Sequence, residues 1–350
     1  MLNKRQDVIL SYIDQHNNAA VSAVFSFMQK QWPKVSKITI NRDLKKLVQL
    51  KLLVQTGSGR GTAYVLAPAY SIVKPIDVKK YFASEIDERD IKTHFNFEIF
   101  SQLRIMHTIF SEAEQVHLQT LQQMYQSKIK HLPPDVLRKE FERLTIELSW
   151  KSSKIEGNTY TLLETEQLIK EQQVASEHTK AEATMILNHK AALDYIRQQA
   201  VQFKKLSRSK IEDIHSLLIK DLGVSRNVRK TIVRITGTAY TPLDNIYQIQ
   251  EALDDTCKLV NTEANPFAKA MLVLMLIAYI QPFTDGNKRT SRLIGNAVLL
   301  AHGCCPLSYR SINEIEYKKA LLLFYEQNNI TYFKKLFLEQ LDFAVHNYFG

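Results

Sequence analysis

The sequence predicts a mostly α-helical protein with a small β element near its start and one β-like break in its second half. Apolar residues recur at helical spacing over most of the 350 residues. Short strand-like runs flank a glycine cluster at 52–66. Residues 268–280 are apolar on nearly every face, the pattern of a buried core helix. The length suggests two or three domains, and a hydrophobic fraction of 45% supplies a substantial core.

In chain order, residues 4–16 form a first helix, with Val8, Ile9, Tyr12 and Ile13 on one face. Residues 20–31 form a second. Ser36 suits the N-cap of a third over 37–50, with Ile40, Leu44, Leu47 and Val48 inward. Two β runs follow, 52–56 and 62–66, joined as a hairpin by the glycine-rich stretch 57–61. Three helices and a ribbon over residues 1–70 resemble a winged helix-turn-helix. The resemblance implies a third helix in the major groove of DNA, with Lys37, Thr39, Arg42, Lys45 and Lys46 outward and Arg60 at the wing tip. Charge agrees: residues 1–70 hold ten Lys and Arg against three Asp, a surplus of seven within a net +10. Binding of another protein, or dimerisation, is the alternative use of such a module. A homodimer is the expected assembly, since such regulators pair on palindromic sites.

Residues 71–92 read as a linker, with Pro75 and a mixed-charge run at 84–90. Residues 93–222 are helical almost throughout, broken at Pro133 and Pro134 and at Gly157 and Asn158. β character at 230–235 ends in Thr236, Gly237, Thr238 and Pro242. Helices resume at about 246–261, 266–280, 288–302 and 313–346. Cys257, Cys304 and Cys305 form neither a disulfide framework nor a metal-ligand spacing, which fits a reducing cytosol, so a cytoplasmic location is expected. The N-terminus leads into an amphipathic helix and not a signal peptide, and 268–280 is too short to span a bilayer, so no membrane partner is expected.

The run Gln281-Pro-Phe-Thr-Asp-Gly-Asn-Lys-Arg-Thr-Ser-Arg292 carries the most chemistry. Asp285, Gly286 and Asn287 signal a tight turn, and the helix after it buries Leu293, Ile294, Ala297, Val298 and Ala301 before stopping at Gly303. A helix start exposes free N–H groups at the positive end of its dipole, a site for an anion. Arg289 and Arg292 share one face and can point at one polyphosphate. Asp285 is an oxygen ligand suited to a Mg²⁺ that bridges phosphates.

This run resembles the signature of the Fic/Doc (Fido) family, H-x-F-x-(D/E)-G-N-(G/K)-R-x-x-R, whose members include enzymes that transfer AMP from ATP to protein hydroxyls. Every position agrees except the first, where the family's catalytic histidine is Gln281. The resemblance implies a helical Fic region in two parts, 93–222 and 223–346, with a β-hairpin flap. It makes ATP and Mg²⁺ the cofactors. Phe283 would anchor the loop and Asp285 would bind Mg²⁺. Gly286, Asn287 and Lys288 would form an anion hole, with Arg289 and Arg292 on the β- and γ-phosphates. Lys288 is glycine in many AMP-transferring members and lysine in the Doc branch, which transfers the terminal phosphate. An amide has no accessible pKa, so Gln281 cannot take a proton as an imidazole does, and loss of a general base costs about 10²–10⁴ in rate.

Ser152 to Glu156, followed by Gly157, matches the family's inhibitory motif, (S/T)-x-x-x-E-(G/N). Ser152 and Glu156 share a helix face, and Gly157 suits the residue that ends the helix. The implied partner of Glu156 is Arg292. Residues 229–242 resemble the family's flap, which pins a target segment by strand addition. Ile232, Arg234 and Thr236 alternate there with Val233 and Ile235. Tyr317 and Tyr325 fall where family members line the adenine pocket, although a core role suits them equally, and His215 reads as structural. Three functions follow. One is AMP transfer to a Tyr, Thr or Ser hydroxyl of a target protein, held off by Glu156 and weak or lost through Gln281. Another is a nucleotide-responsive, DNA-bound regulator without catalysis. The third is Doc-like phosphate transfer.

Overall fold

The computed structural model describes residues 3–106 and 109–350, apart from the side chain of Arg60. It divides into two compact units: the chain up to Ile76 with Glu98–Gln115, and Asp77–Phe97 with Val116–Gly350.

In the first unit, helix α1 (Lys4–His16) opens with a capping box in which Asn3 and Gln6 exchange bonds of 2.9 and 3.0 Å. α2 (Val21–Gln31) and α3 (Lys37–Gln49) follow, and the Ser36 hydroxyl accepts the Thr39 N–H at 3.2 Å as the sequence leads one to expect. Ile9, Leu10, Ile13, Val24, Met28, Ile40, Leu44 and Leu47 meet in one core. Buried Asp43 accepts from Arg5 and, at 3.1 Å, from Gln6. Strands β2 (Leu53–Thr56) and β3 (Ala63–Leu66) pair antiparallel, with Leu53 opposite Leu66. Gly57 turns the ribbon at φ +68, and a Cβ there would lie 2.3 Å from the Gly61 carbonyl oxygen, so only glycine fits. A third strand, β1 (Ala19–Ala20), pairs with β3 to give the order β1-β3-β2. Two alanines are too short a run to be read as a strand from sequence. The unit closes with α4 (Tyr70–Val73) and, beyond the short α5 (Val78–Tyr81) of the second unit, α6 (Glu98–Ile105) and the first residues of α7 (Glu112–His131).

The second unit takes in α5, the rest of α7, and α8 (Pro134–Ile155), α9 (Leu162–Glu171), α10 (Lys180–Gln198) and α11 (Arg208–Leu218). α12 (Ile246–Thr262), α13 (Pro266–Ile280), α14 (Asn287–Ala301), α15 (Glu314–Gln327) and α16 (Thr331–Asn347) complete it. Every residue of α13 from Phe267 to Ile280 is buried, because the helix is apolar on every face but for Lys269 and is enclosed by α12, α14 and α15. α14 comes close to it: a Cβ on Gly295 would lie 2.9 Å from Leu274 Cγ. These two helices are the rigid walls between which residues 281–286 are strung. Among the described residues, no helix is long and apolar enough to cross a membrane.

Candidate functional site: an arginine-lined loop under a carboxylate clamp

The loop is built by its own polar groups. Gln281 ends α13 in the left-handed conformation, φ 50 and ψ 59. Its side-chain amide is engaged at both ends: Nε2 donates to the Ala278 carbonyl at 2.6 Å, and Oε1 accepts from Asn287 Nδ2 at 2.9 Å. Asn287 also accepts the Phe283 N–H and donates to the Phe283 carbonyl, each at 2.8 Å. One buried amide thus closes the turn on three sides. Phe283 is fully buried, with its ring stacked on His215 at a centroid distance of 3.6 Å. His215 Nε2 reaches the Asp285 carbonyl at 3.0 Å, and burial pushes the imidazole pKa down to about 4, so the ring is neutral and structural. Gly286 caps α14 at φ +79 against Ile219 and His215, with no side-chain cap on the N–H groups behind it.

The two arginines differ. Arg292 is wholly buried. Its Nε donates to Ser152 Oγ at 2.9 Å, and its Nη2 donates to the Ser152 carbonyl at 2.8 Å and to Glu156 Oε1 at 3.0 Å. Its guanidinium also faces the Tyr317 ring, 5.6 Å from the centroid. Arg289 is just as buried, yet only its Nη2 has a partner, Asp285 Oδ2 at 2.9 Å; Nε and Nη1 have none. Burial lowers the Arg289 pKa, and Asp285 and Glu156 partly oppose that. Arg292 Nη1 is likewise without a partner, so three buried cationic donors near the start of α14 are of the kind an anion would satisfy.

Glu156 sits at the C-cap of α8, and Gly157 follows at φ +98, as the spacing predicts. Both carboxylate oxygens are used: Oε1 on Arg292 at 3.0 Å and Oε2 on Lys288 Nζ at 2.9 Å. Burial disfavours the charge on Glu156, but Arg292 and Lys288 outweigh it and hold the pKa below the ordinary carboxylate value. The second cation is a finding of the structure, because the sequence motif pairs Glu156 with Arg292 alone. Glu156, Gln281, Lys288, Lys318, Leu321 and Tyr325 line a cavity of about 450 Å³, and Arg234, Ile235 and Thr236 also border it. Tyr325 therefore reaches the cavity, whereas Tyr317 stands behind Arg292, outside its lining.

Residues 229–242 do not form the expected hairpin. They carry no strand ladder, and Thr241 makes a single parallel bridge to His94. The alternation survives without pairing: Ile232, Arg234 and Thr236 are exposed and Val233 and Ile235 half-buried. The cause is local. The segment has its ends fixed but no neighbouring strand along 231–236. Arg229, buried, donates to the Gln281 carbonyl at 2.6 Å, to Thr231 O at 2.7 Å and to Leu243 O. Tyr240 donates its hydroxyl to Tyr279 O at 2.9 Å. Sequence reading missed Arg229 as an anchor, since nothing marks an arginine in a loop as buried.

Asp285 keeps a largely exposed carboxylate, 61% accessible, with one oxygen on Arg289. Among the described residues no group of three or more His, Cys, Asp or Glu side chains comes together, so a divalent ion here would rely on Asp285 and on ligand oxygens. In the first unit, Lys37, Arg42, Lys45 and Lys46 are exposed on α3, while Thr39 is half-buried and bonded to Ser36. The Arg60 side chain lies outside the described residues.

Comparison with known proteins bears on the domain that carries this loop. Residues 205–299 match the model of the Fic/DOC family, so the chain carries a Fic/DOC domain there. Over 178 residues the chain is 28% identical to a protein adenylyltransferase Fic of Nematostella vectensis, covering 49% of this chain and 41% of that protein. Over 174 residues it is 27% identical to protein adenylyltransferase fic-1 of Caenorhabditis elegans, covering 48% and 34%. The chain thus spans well under half of these relatives' length. Among solved structures, Fic-1 (residues 134–508) of C. elegans shares the fold at TM-score 0.57 and 18% identity, over 71% of this chain and 78% of that one. A Fic-domain signaling protein of Bacteroides thetaiotaomicron does so at TM-score 0.54 and 20% identity, over 65% and 95%.

Proposed function

We propose that the second unit binds Mg·ATP and belongs to the protein AMP-transferase lineage, held off by Glu156 and weakened or silenced by Gln281. The observation that carries the reading is a set of unused buried donors on one helix, two on Arg289 and one, Nη1, on Arg292. Glu156 covers Arg292 and Lys288, while Arg289 beside them is buried with two donors unused. A triphosphate supplies the anion that such donors need. Asp285 would hold Mg²⁺ together with phosphate oxygens, and the ion would neutralise charge on the transferring phosphate.

The residues of the chain divide the work. Gly286, Asn287 and the first turn of α14 present backbone N–H groups to the phosphates, and Arg289 fixes them from below. Glu156 occupies the position that Arg292 and Lys288 would offer to the end of the phosphate chain, so a nucleotide would bind in an unproductive pose until the carboxylate withdraws. Residues 232–236 would receive an extended segment of a target protein by main-chain pairing and bring its Tyr, Thr or Ser hydroxyl to the loop. Gln281 stands where the general base would act. Its amide is spent on Ala278 and Asn287, so it keeps the loop closed without accepting a proton.

The test is self-labelling with α-phosphate-labelled ATP and Mg²⁺, using Glu156→Gly alone and Glu156→Gly with Gln281→His. Label only on the second protein is the expected result: an intact nucleotide site lacking its base. Label on both would make the natural chain a working transferase. Absence of α-label from both, with transfer of γ-label, would move the assignment to Doc-like phosphate transfer, which Lys288 favours.

A second reading is supported by α3. Ile38, Asn41, Arg42, Lys45, Lys46 and Gln49 line one shallow hollow on an exposed basic face. Such a face suits the phosphate backbone and base edges of DNA. A regulator in which ATP occupancy changes operator affinity would join both units in one function. Operator binding indifferent to ATP, beside measurable transfer, would end that reading.

A further inference from the structure

The composition of residues 71–92 marks a linker, yet residues 77–97 pack within the second unit as a strap along the flap segment 229–242. Arg89 is the centre of the strap. Its side chain is 4% exposed, and its Nη1 lies 3.1 Å from Glu326 Oε2 on α15. Its Nη2 donates to the Gly237 carbonyl at 2.8 Å. Gly237, at φ +91, is the turn of the flap segment. Glu326 is fully buried and also accepts the Tyr81 hydroxyl at 2.7 Å, and the guanidinium lies over the Phe82 ring, 5.3 Å from its centroid. Four residues on, the Thr93 carbonyl accepts the Thr241 N–H at 2.8 Å.

These contacts all fall on the turn and the returning arm of the segment. The outgoing arm, 232–236, has none of them, and it is the arm that edges the cavity. Removing two charges from water is costly, so the pair adds little net stability, and its distinctive feature here is that the same guanidinium also holds the Gly237 carbonyl. We infer that Arg89 is a positioning residue for the flap: it clamps the Gly237 turn to α15, so that 232–236 is presented as a fixed, unpaired edge for an extended target segment. The inference rests on the transferase reading for its catalytic consequence alone, since the clamp itself is a property of the fold.

The experiment uses the full chain carrying Arg89→Gln with Glu326→Gln, which leaves no unpaired charge, and separately Arg89→Lys, which can keep the ion pair but cannot also hold Gly237. Amide hydrogen exchange should accelerate about tenfold or more over 236–242 in both proteins and stay unchanged over 266–301. Thermal stability should recover in Arg89→Lys while the fast exchange remains, a split that a merely structural role would not give. In the Glu156→Gly, Gln281→His background, ATP-analogue affinity should hold while label incorporation falls about tenfold. Unchanged exchange over 236–242, or acceleration spread evenly through the unit, overturns the inference. Localised acceleration in a background that labels nothing sustains the clamp and removes the transferase reading instead.

Discussion

The loop at 281–287 and the flap segment at 229–242 flank the same cavity and are built on opposite principles. In the loop, the side chains of Gln281 and Asn287 are satisfied internally, Phe283 is sealed under His215, and two largely buried helices fix both ends. In the flap segment the anchors are buried, but the stretch between them exposes Ile232 and has no ladder. In the proposed function the loop is a nucleotide site finished before its ligand arrives, because phosphates always present the same oxygens. An edge for a protein segment is left open, because main-chain pairing is completed by whatever chain comes.

The sharpest way to break the contrast is Asn287→Ala. It removes the acceptor of the Phe283 N–H and the donor to Gln281 and to the Phe283 carbonyl, all buried. A loss of about 2–3 kcal/mol is expected in urea unfolding, with loss of ATP-analogue binding. A stability close to that of the natural chain would mean that the loop is held by its flanking helices and not by its amides.

A second test concerns the floor of the loop. His189 is fully buried beside Ser149, and burial, then Arg292 and Arg289, push its pKa well below the ordinary value. The folded state therefore holds it neutral. Its contribution to stability is complete above the unfolded-state pKa of about 6.5 and is lost as pH falls below that value toward the folded pKa. Urea midpoints at pH 7.5 and 5.5 should separate less in His189→Asn than in the natural chain. An equal separation would assign the acid sensitivity to other groups.

Much of this was legible in the sequence, and the limits have physical causes. Helix α3 and its Ser36 cap, the almost wholly apolar α13, and the Glu156–Gly157 helix end follow from local rules that one sequence obeys in place. The Glu156–Arg292 pair, 136 positions apart, came only through resemblance to a family motif. Lys288 as the second cation, Arg229 under the loop and Arg89 on the flap turn were not legible. Each is an ordinary charged residue whose role depends on which carbonyl or carboxylate the fold brings to it. The missing hairpin is the converse case. The alternation of exposure at 232–236 is as read, but a strand needs a partner, and periodicity carries no information about partners.

Lys288 offers a test within the site. Its pair with Glu156 is partly solvated, with Lys288 29% exposed, so its worth is modest, about 0.5–1 kcal/mol. A double-mutant cycle reads it. Lys288→Met should weaken ATP-analogue binding about two- to fivefold more in the Glu156→Gly background than in the natural one, because only there is the lysine free to meet phosphate. Equal effects in both would leave Arg292 as the sole holder of Glu156.

The smallest effect on the fold should come from Ile232→Ser. The residue is 60% exposed on the open arm, and surface changes of this kind usually alter stability by less than about 0.5 kcal/mol. ATP-analogue affinity should also be unchanged, since Ile232 is not among the residues that line the cavity. The loss should appear only when a protein acceptor is supplied to the Glu156→Gly, Gln281→His protein, as a raised KM with kcat maintained. A change that leaves the folded molecule intact and touches only the acceptor is what an edge completed by its partner requires. If Ile232→Ser instead lowers the unfolding midpoint as Asn287→Ala does, the flap segment is part of the built core, and the distinction between a finished and an unfinished side of the cavity disappears.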